Sequence, residues 1–307
     1  MPTILIATDK PFAPIAVSKI KEVADKAKYE LKLLEKYTSK AELIEAVADV
    51  DAIIVRSDII DKEVIDAAEK LKIVVRAGAG YDNLDLNAAT EKGVVAMNTP
   101  GQNSNAVAEL AIGMMIFLAR GKYNGKSGFE LKDKTIGIHA YGAVGKCVAR
   151  IAKGFNMTVY AYDPFVNAKD IEKDGVIALN SVEELYSKSQ YISLHIPAND
   201  KTKKTIDYKL LSLMPEGATL VNTARKEVIC EDSLLKIFES RSDFNYLSDI
   251  EPACKEKLEA EYGSRCFFTP KKMGAQTEEA NINAGIAAAE QIVNFIEKGD
   301  KTYQVNK

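Results

Sequence analysis

Two adjacent lysines are candidates for proton chemistry. Lys271 and Lys272 lie in the stretch FTPKKMGAQTEEA, between a predicted strand end and the predicted start of a helix. An ordinary lysine, with a pKa of about 10.4, is protonated at neutral pH and can act as an acid. Burial or a nearby cation lowers the pKa of a lysine and prepares it to act as a base. Neighbouring lysines in a turn are usually solvated, so a catalytic lysine and a plain surface feature are both open at this point.

A second group of residues has the spacing of a dinucleotide-binding turn. The stretch KTIGIHAYGAVGKCVARIA predicts a strand, a turn and a helix, and aligning it to G-x-G-x-x-G gives Ala140, Gly142 and Gly145. The second glycine lets the backbone approach a pyrophosphate, the third lets the helix pack closely on the strand, and the helix N-terminus offers N–H groups to the anion. Alanine in the first position is acceptable if its φ is negative. The turn residues predicted to contact the cofactor are Gly142, Ala143, Val144 and Gly145.

A carboxylate at the end of the next predicted strand strengthens this assignment. Asp163 ends the strand in TVYAYDPF, twenty-one residues after Gly142. A carboxylate there accepts hydrogen bonds from the adenosine ribose and repels a 2′-phosphate. The two motifs together predict binding of NAD in preference to NADP, with a purely structural turn as the alternative.

Composition limits the class of protein. The chain has 307 residues, of which 47% are apolar and 28% charged, and a net charge of −3. This length suggests two domains, and the charge gives no general attraction to nucleic acid or to acidic membranes. The sequence shows no secretory leader pattern and no membrane-spanning run. We therefore expect a cytoplasmic protein whose four scattered cysteines are free thiols, with no metal site.

Short apolar runs alternate with amphipathic stretches along most of the sequence. Ten runs are predicted as strands: TILIAT, ELKLLE, DAIIVR, KIVVRAG, VVAMN, KTIGIHA, TVYAYD, YISLHI, ATLVNTA and FNYLSD. This alternation predicts an α/β protein with parallel sheets covered on both faces. We predict two doubly wound, Rossmann-like domains with a cleft between them, residues 1–100 plus 277–307 and residues 101–276. A long apolar helix is predicted within 104–121, with Ser104 as a possible N-cap and Gly121 beyond its end, and a final helix is predicted over 277–298.

Several motifs make the sequence similar to the D-isomer-specific 2-hydroxyacid dehydrogenases, and within that family to short forms of D-3-phosphoglycerate dehydrogenase. The motifs are VRSDII (55–60), VVRAGAGYDNLDL (74–86), NTPGQNSNAVAEL (98–110), YISLHIPANDKTKKTI (191–206) and LMPEGATLVNTARKEVI (213–229). The resemblance covers nearly the whole chain. It implies that the first domain binds the substrate and the second binds NAD.

The resemblance assigns the catalytic positions. The family's arginine matches Arg225, whose guanidinium can bind a carboxylate and polarise the reacting carbonyl. Its glutamate matches Glu251 in SDIEP, where the loop is shorter than in the family. Its histidine is absent, because the motif T-P-H-x-G-G-S-T-x-E-A becomes TPKKMGAQTEEA, one residue longer. Counting back from the helix places Lys272 at the histidine position, counting forward from Pro270 places Lys271 there, and we prefer Lys272.

The resemblance also assigns binding residues. Cofactor-binding positions beyond the turn are His195, Thr223, Ala224 and Asp249, the last as a partner of the nicotinamide amide. Substrate-binding positions are Arg56, Ser57, Arg76, Ala77, Gly78 and Asn98. The N–H groups of Ala77 and Gly78 are expected to bind the substrate carboxylate, and Arg56 and Arg76 to favour a phosphorylated acid. His139 is expected to be packed inside its strand.

These assignments imply oxidation of D-3-phosphoglycerate to 3-phosphohydroxypyruvate by NAD, the first step of phosphorylated serine biosynthesis, with a lysine as the acid–base residue. If Glu251 contacts Lys272, the pair favours carbonyl reduction near neutral pH. One alternative is a glyoxylate or hydroxypyruvate reductase on the same fold, and another is a NAD-sensing protein similar to transcriptional corepressors. The resemblance further implies a homodimer, although the linker GKYNGKSGFELKDK is shorter than the family's.

Overall fold

Runs of Val, Ile and Leu form two separate sheets, in each of which the neighbouring strands are parallel. The computed structural model describes residues 1–306. The chain divides into two units, one of Met1–Asn103 with the residues from Gln276 onward, and the other of Ser104–Ala275. Each unit contains one of the sheets.

The sheet of the first unit has five strands in the order β2-β1-β3-β4-β5. They are β1 (Thr3–Thr8), β2 (Glu30–Glu35), β3 (Ala52–Val55), β4 (Ile73–Arg76) and β5 (Val95–Asn98). The helices between them are α1 (Pro14–Lys26), α2 (Lys40–Val47), α3 (Lys62–Ala67) and α4 (Leu86–Glu91). A C-terminal helix, Glu278–Lys298, completes the unit, and the hydroxyl of its N-cap Thr277 accepts a hydrogen bond from the N–H of Ala280.

Both faces of this sheet are buried, which explains the continuous apolar strands. Ile4 and Ile6 of β1 belong to a core that includes residues of α1 and the C-terminal helix. Leu5 and Ala7 of the same strand belong to the core on the opposite face, with residues of α2, α3 and α4. Since successive side chains of a strand point to opposite faces, a strand covered on both sides must be apolar throughout.

The sheet of the second unit has seven strands in the order β12-β11-β10-β9-β6-β7-β8. They are β6 (Thr135–His139), β7 (Thr158–Tyr162), β8 (Ile177–Ala178), β9 (Tyr191–Leu194), β10 (Thr219–Asn222), β11 (Asn245–Ser248) and β12 (Cys266–Phe268). Its helices are α5 (Ser104–Ala119), α6 (Ala143–Gly154), α7 (Ala168–Lys173), α8 (Val182–Lys188), α9 (Tyr208–Ser212), α10 (Glu231–Ser240) and α11 (Lys255–Tyr262). The chain builds outward from β6 to one edge and then returns to build from β9 to the other. The carboxyl ends of β6 and β9 therefore form a topological switch point, where sheets of this kind bind ligands.

The predicted α/β class is confirmed, with parallel sheets and all ten predicted strands present. The ten runs do not include β8, which has only two residues and too few side chains to show periodicity, or β12, of which only the end was predicted. The long apolar helix ends at Ala119, one residue before its predicted end. The cysteines are free thiols, as predicted. Within residues 1–306, no helix has both the length and the apolar character needed to cross a membrane.

Candidate active site

The turn after β6 has the close helix–strand approach that a dinucleotide site requires. Gly142 is the N-cap of α6, and no described side chain caps the first N–H groups of this helix. A Cβ added to Gly145 would lie 2.5 Å from the carbonyl oxygen of Ala140 and 2.9 Å from Cγ2 of Ile138, so glycine is required there. The first turn of α6 therefore offers N–H donors in the arrangement that binds a phosphate anion.

Ala140 adopts a φ of +78°, so the negative φ expected for the first position of the motif is wrong. A residue with a side chain costs about 1–2 kcal/mol in the left-handed region. The N–H of Ala140 donates to the carbonyl of Tyr162 at 2.9 Å and extends the pairing of β6 with β7 by one residue. Ala140 therefore makes this bond in a conformation that glycine would adopt without strain.

Asp163 follows β7 and binds the turn directly. Its Oδ2 accepts a hydrogen bond from the N–H of Tyr141 at 2.8 Å, and its Oδ1 accepts one from the N–H of Phe165 at 2.8 Å. The carboxylate thus lies beside the Gly142 turn, at the end of the strand next to β6. Its role at a cofactor ribose stays a prediction.

His139 is the last residue of β6 and His195 directly follows β9, and neither is suited to acid–base chemistry at neutral pH. His139 is buried with its Nδ1 3.3 Å from the hydroxyl oxygen of Tyr186, and burial lowers its pKa to about 4. Nε2 of His195 lies 2.9 Å from Oγ of Ser193, and burial together with the neighbouring His139 lowers the pKa of His195 to about 3. The predicted packing of His139 is confirmed. The part of His195 in cofactor binding stays a prediction.

Arg225 is positioned by Asn222, a buried asparagine at the end of β10 that was not among the predicted site residues. Oδ1 of Asn222 accepts from the N–H of Ala224 at 2.9 Å, and its Nδ2 donates to the carbonyl of Arg225 at 3.0 Å. Nη1 of Arg225 donates to the carbonyl of Ala224 at 2.9 Å. Between them, Thr223 is buried, and its Oγ1 has no hydrogen-bond partner within residues 1–306. A polar residue directly after the apolar run ATLV was the available signal for Asn222, because buried amides need hydrogen-bond partners.

Asp249, directly after β11, holds the segment that carries the two lysines. Its carboxylate is 1% exposed. Oδ1 accepts from Oγ1 of Thr269 at 2.9 Å and from the N–H of Met273 at 2.7 Å, and Oδ2 accepts from the N–H of Gly274 at 2.8 Å. These three bonds fix both ends of the segment from Thr269 to Gly274. The predicted contact of Asp249 with a nicotinamide amide is not tested by them and stays a prediction.

The lysines and their predicted glutamate partner lie on loops that follow neighbouring strands. Lys271 and Lys272 are both exposed, in the segment between β12 and the C-terminal helix. Oε1 of Glu251 accepts from Nζ of Lys255 at 2.6 Å, and this bond raises the pKa of Lys255. The choice between the two lysines, and a pairing of Glu251 with Lys272, stay predictions.

In the first unit, Arg56 is engaged by acceptors of the protein itself. Its Nη1 lies 3.2 Å from the carbonyl oxygen of Lys10 and 3.3 Å from that of Pro11, and its Nη2 donates to Oδ1 of Asn281 at 2.7 Å. Cζ of Arg56 is 5.3 Å from the ring centroid of Phe12. Burial lowers the pKa of Arg56. Much of the donor capacity of this guanidinium is therefore used to fasten its loop to the C-terminal helix.

The glycine-rich loop after β4 is also closed by internal hydrogen bonds. The N–H of Ala77 donates to the carbonyl of Val55, and the N–H of Gly78 to that of Arg76, both at 2.8 Å. Nε of Arg76 donates to the carbonyl of Arg56 at 3.0 Å. Gly78 has a φ of +150°, and a Cβ there would lie 1.6 Å from Nη1 of Arg76. The two N–H groups predicted to bind a carboxylate are thus engaged within the protein in this conformation.

Two further residues assigned to the substrate lie near this loop. Asn98, at the end of β5, is buried, and its Nδ2 donates to the carbonyl of Ala79 at 2.6 Å. Ser57 is exposed beside Arg56. In residues 1–306, no group of three or more His, Cys, Asp or Glu side chains is arranged to hold a metal ion.

The fold and these residues belong to a recognised class of enzyme. A family model described as D-isomer specific 2-hydroxyacid dehydrogenase, catalytic domain, matches residues 5–306. The chain therefore belongs to the D-isomer-specific 2-hydroxyacid dehydrogenase family.

Within this family, the chain is similar to proteins named for two reactions. A crystal structure of NAD+-bound 3-phosphoglycerate dehydrogenase from Entamoeba histolytica is 48% identical, covers 100% of this chain and 99% of its own, and superposes with a TM-score of 0.85. A D-3-phosphoglycerate dehydrogenase from Methanocaldococcus jannaschii is 37% identical over 83% of this chain and 51% of its own length. A hydroxypyruvate reductase from Thermotoga maritima is 33% identical over 86% of this chain and 91% of its own length. The chain spans about half the length of the curated phosphoglycerate dehydrogenases that it matches.

Proposed function

We propose that this chain is an NAD-dependent dehydrogenase that oxidises D-3-phosphoglycerate to 3-phosphohydroxypyruvate. The observation that carries the proposal is the 48% identity, along the full chain, to the NAD+-bound enzyme of Entamoeba histolytica. In this proposal, residues 1–100 with 277–307 bind the substrate and residues 101–276 bind NAD. The product would serve the phosphorylated route to serine.

The residues around the β6–β7 turn fit NAD. The uncapped first turn of α6 binds the pyrophosphate, and the carboxylate of Asp163 accepts from the ribose hydroxyls. The buried hydroxyl of Thr223, which lacks a partner among the described residues, supplies a further hydrogen-bonding group at the end of β10. When bound, NAD accepts the hydride from the alcohol carbon.

The side chains that follow β10 and β12 handle the remaining charge and the proton. Arg225 binds the substrate carboxylate and polarises the bond between the reacting carbon and its oxygen. Lys272, or Lys271, takes the hydroxyl proton in oxidation and returns it in reduction. The base must be a neutral lysine, so oxidation rises with pH, whereas the protonated lysine serves reduction at neutral pH. The lowered pKa values of His139 and His195 support the assignment of this proton to a lysine.

Two lysine substitutions test this mechanism. We expect Lys272→Ala to lower kcat by about 10²–10⁴-fold, the usual contribution of general acid–base catalysis, with NAD affinity unchanged. Lys271→Ala is the matched control and should be near wild type. The measurement is the steady-state rate of NADH formation from D-3-phosphoglycerate, with NAD binding followed by calorimetry. The reverse pattern would move the role to Lys271, and full activity of both variants would end the lysine mechanism.

A hydroxypyruvate reductase is the second candidate, and two observations favour it. The relative from Thermotoga maritima matches along 91% of its own length. Arg56, predicted to bind the substrate phosphate, already donates to Lys10, Pro11 and Asn281. Comparing kcat/KM for D-3-phosphoglycerate and D-glycerate, with NAD as the oxidant, separates the two. A higher value for D-glycerate would overturn the phosphoglycerate assignment in favour of the reductase.

Two further properties stay predictions for this chain. A homodimer is implied by the family resemblance, and the segment after α5 exposes Tyr123 and Phe129, at 66% and 74%. The cytoplasmic location rests on the sequence pattern alone.

A further inference from the structure

We infer that Asp249 is a positioning residue that holds the lysine segment in place for proton transfer. The inference rests on the proposed lysine mechanism and concerns how the reactive amine is held. The assigned contact of Asp249 would be with the cofactor. In this structure its carboxylate oxygens accept hydrogen bonds from Thr269, Met273 and Gly274.

The hydrogen bonds of Asp249 bracket both lysines. One partner, Thr269, precedes Lys271, and the other two directly follow Lys272. Only Pro270 and the two lysines lie between Thr269 and Met273, so we expect these bonds to limit the positions that the lysine backbone can adopt. A carboxylate buried to 1% exposure needs such donors, because a buried charge without partners is strongly unfavourable.

The packing around Gly274 shows that this contact is closely fitted. A Cβ at Gly274 would lie 3.0 Å from Oδ2 of Asp249 and 3.2 Å from Cγ2 of Val107 on α5. Both distances are shorter than ordinary contacts between carbon and its neighbours. A side chain at this position would therefore require Asp249 or the side chain of Val107 to shift by a few tenths of an ångström, whereas glycine brings its N–H to the carboxylate without such a shift.

The loop that carries Arg225 is linked by hydrogen bonds to the same strand ends that hold the lysine segment. The N–H of Asp249 donates to the carbonyl of Asn222 at 3.0 Å. The side chain of Asn222 in turn holds Ala224 and Arg225. Two buried polar residues, Asn222 at the end of β10 and Asp249 directly after the adjacent parallel strand β11, therefore position Arg225 and the segment that carries the lysines.

Substitutions at Thr269 separate loop positioning from cofactor contact. Thr269→Val keeps the shape and the Asp249 carboxylate but removes one of its three donors, and Thr269→Ser is the matched control that keeps the hydroxyl. Because a small misplacement of a catalytic group is costly, we expect Thr269→Val to lower kcat about tenfold or more, with Kd for NAD unchanged. Thr269→Ser should restore most of the rate. If Thr269 had a structural role without positioning the lysines, Thr269→Val and Thr269→Ser would have the same kcat. The ratio of kcat to Kd for NAD would then stay at its wild-type value in both variants.

Asp249→Asn gives a second reading that does not depend on turnover. The NH2 group of an asparagine would face at least one of the three groups that donate hydrogen bonds to the carboxylate, so at least one of these bonds is lost. The segment from Thr269 to Gly274 should therefore exchange its amide hydrogens faster than in the wild type. Hydrogen–deuterium exchange measured by mass spectrometry on the full chain reports this directly. We also expect kcat to fall on the order of 10²-fold, because the reactive amine is displaced.

These measurements distinguish positioning of the lysine segment by Asp249 from a cofactor contact of Asp249. Unchanged exchange in Asp249→Asn, or equal kcat in Thr269→Val and wild type, would overturn the positioning role. A loss confined to NAD affinity in Asp249→Asn, with Thr269→Val at the wild-type rate, would make Asp249 a cofactor contact only. If the wild-type protein oxidises no 2-hydroxy acid, the proposed function fails, and the exchange of Asp249→Asn still shows whether the carboxylate fixes the segment.

Discussion

We expect the two histidines to make the stability of this protein fall between neutral and mildly acidic pH. Burial lowers the pKa of His139 to about 4, and burial with the neighbouring His139 lowers that of His195 to about 3. In the unfolded chain both have pKa values of about 6.5. The chain contains only these two histidines. Free carboxyl groups titrate near pH 4 and lysines above pH 10, so the interval from pH 7 to 5.5 reports mainly on the histidines.

The sign and size of the effect follow from linkage between protonation and folding. At pH 7 both rings are mostly neutral in the folded and unfolded states, and their contribution to stability is fully present. As the pH falls below about 6.5, only the unfolded chain binds protons, and stability is lost until the folded pKa values near 4 and 3 are reached. At pH 5.5, one pH unit below the unfolded pKa, each neutral buried ring costs about 1.4 kcal/mol. For the two rings together we expect a total loss of about 2–3 kcal/mol.

Urea unfolding at pH 7.0 and 5.5 measures this difference. Asn places its amide near the position of Nδ1 and Gln near that of Nε2, so His139→Asn and His195→Gln preserve partners for Tyr186 and Ser193. Each substitution should remove the contribution of its own histidine to the difference in unfolding free energy between pH 7.0 and 5.5, whatever it does to stability at pH 7.0. The double variant should show almost no such difference. A double variant with the full wild-type difference would refute the assignment to these rings. So would histidine NMR resonances that titrate near pH 6.5 in the folded protein.

Two predictions concern the cofactor turn. Gly145→Ala places a Cβ 2.5 Å from the carbonyl oxygen of Ala140, and we expect it to destabilise the fold by about 1–3 kcal/mol and to abolish NAD binding in calorimetry. Gly154→Ala on the same helix meets nothing within 4 Å and should be neutral or slightly stabilising in thermal unfolding; equal losses in the two variants would contradict the close-approach argument. Asp163→Ser removes the carboxylate beside Tyr141, and the ratio of kcat/KM for NAD to that for NADP should fall at least about tenfold, the effect of removing one close charge repulsion. An unchanged ratio would show that Asp163 does not select the cofactor.

Local sequence determines the strands and the chemistry of the motif, because both depend on neighbouring residues. The run TILIAT occupies β1 from Thr3 to Thr8, as predicted, since a strand with both faces buried must be apolar at every position. The Gly142–Gly145 turn and the carboxylate after β7 are likewise set by their spacing along the chain. The family was accessible from motif order alone, and the match over residues 5–306 bears this out.

Contacts between residues far apart in sequence were decided only by the tertiary structure. The hydrogen bond from Arg56 to Asn281 joins residues 225 positions apart, and that from Met273 to Asp249 joins residues 24 apart. No local pattern encodes such a pair, because it depends on where β3, β11 and the C-terminal helix come to lie. The backbone of Ala140 is a further example, because its φ of +78° occurs where its N–H donates to the carbonyl of Tyr162 on the adjacent strand. The residue types were thus sufficient to identify candidate functional groups, whereas the packing of separate elements decided which residues form hydrogen bonds with those groups.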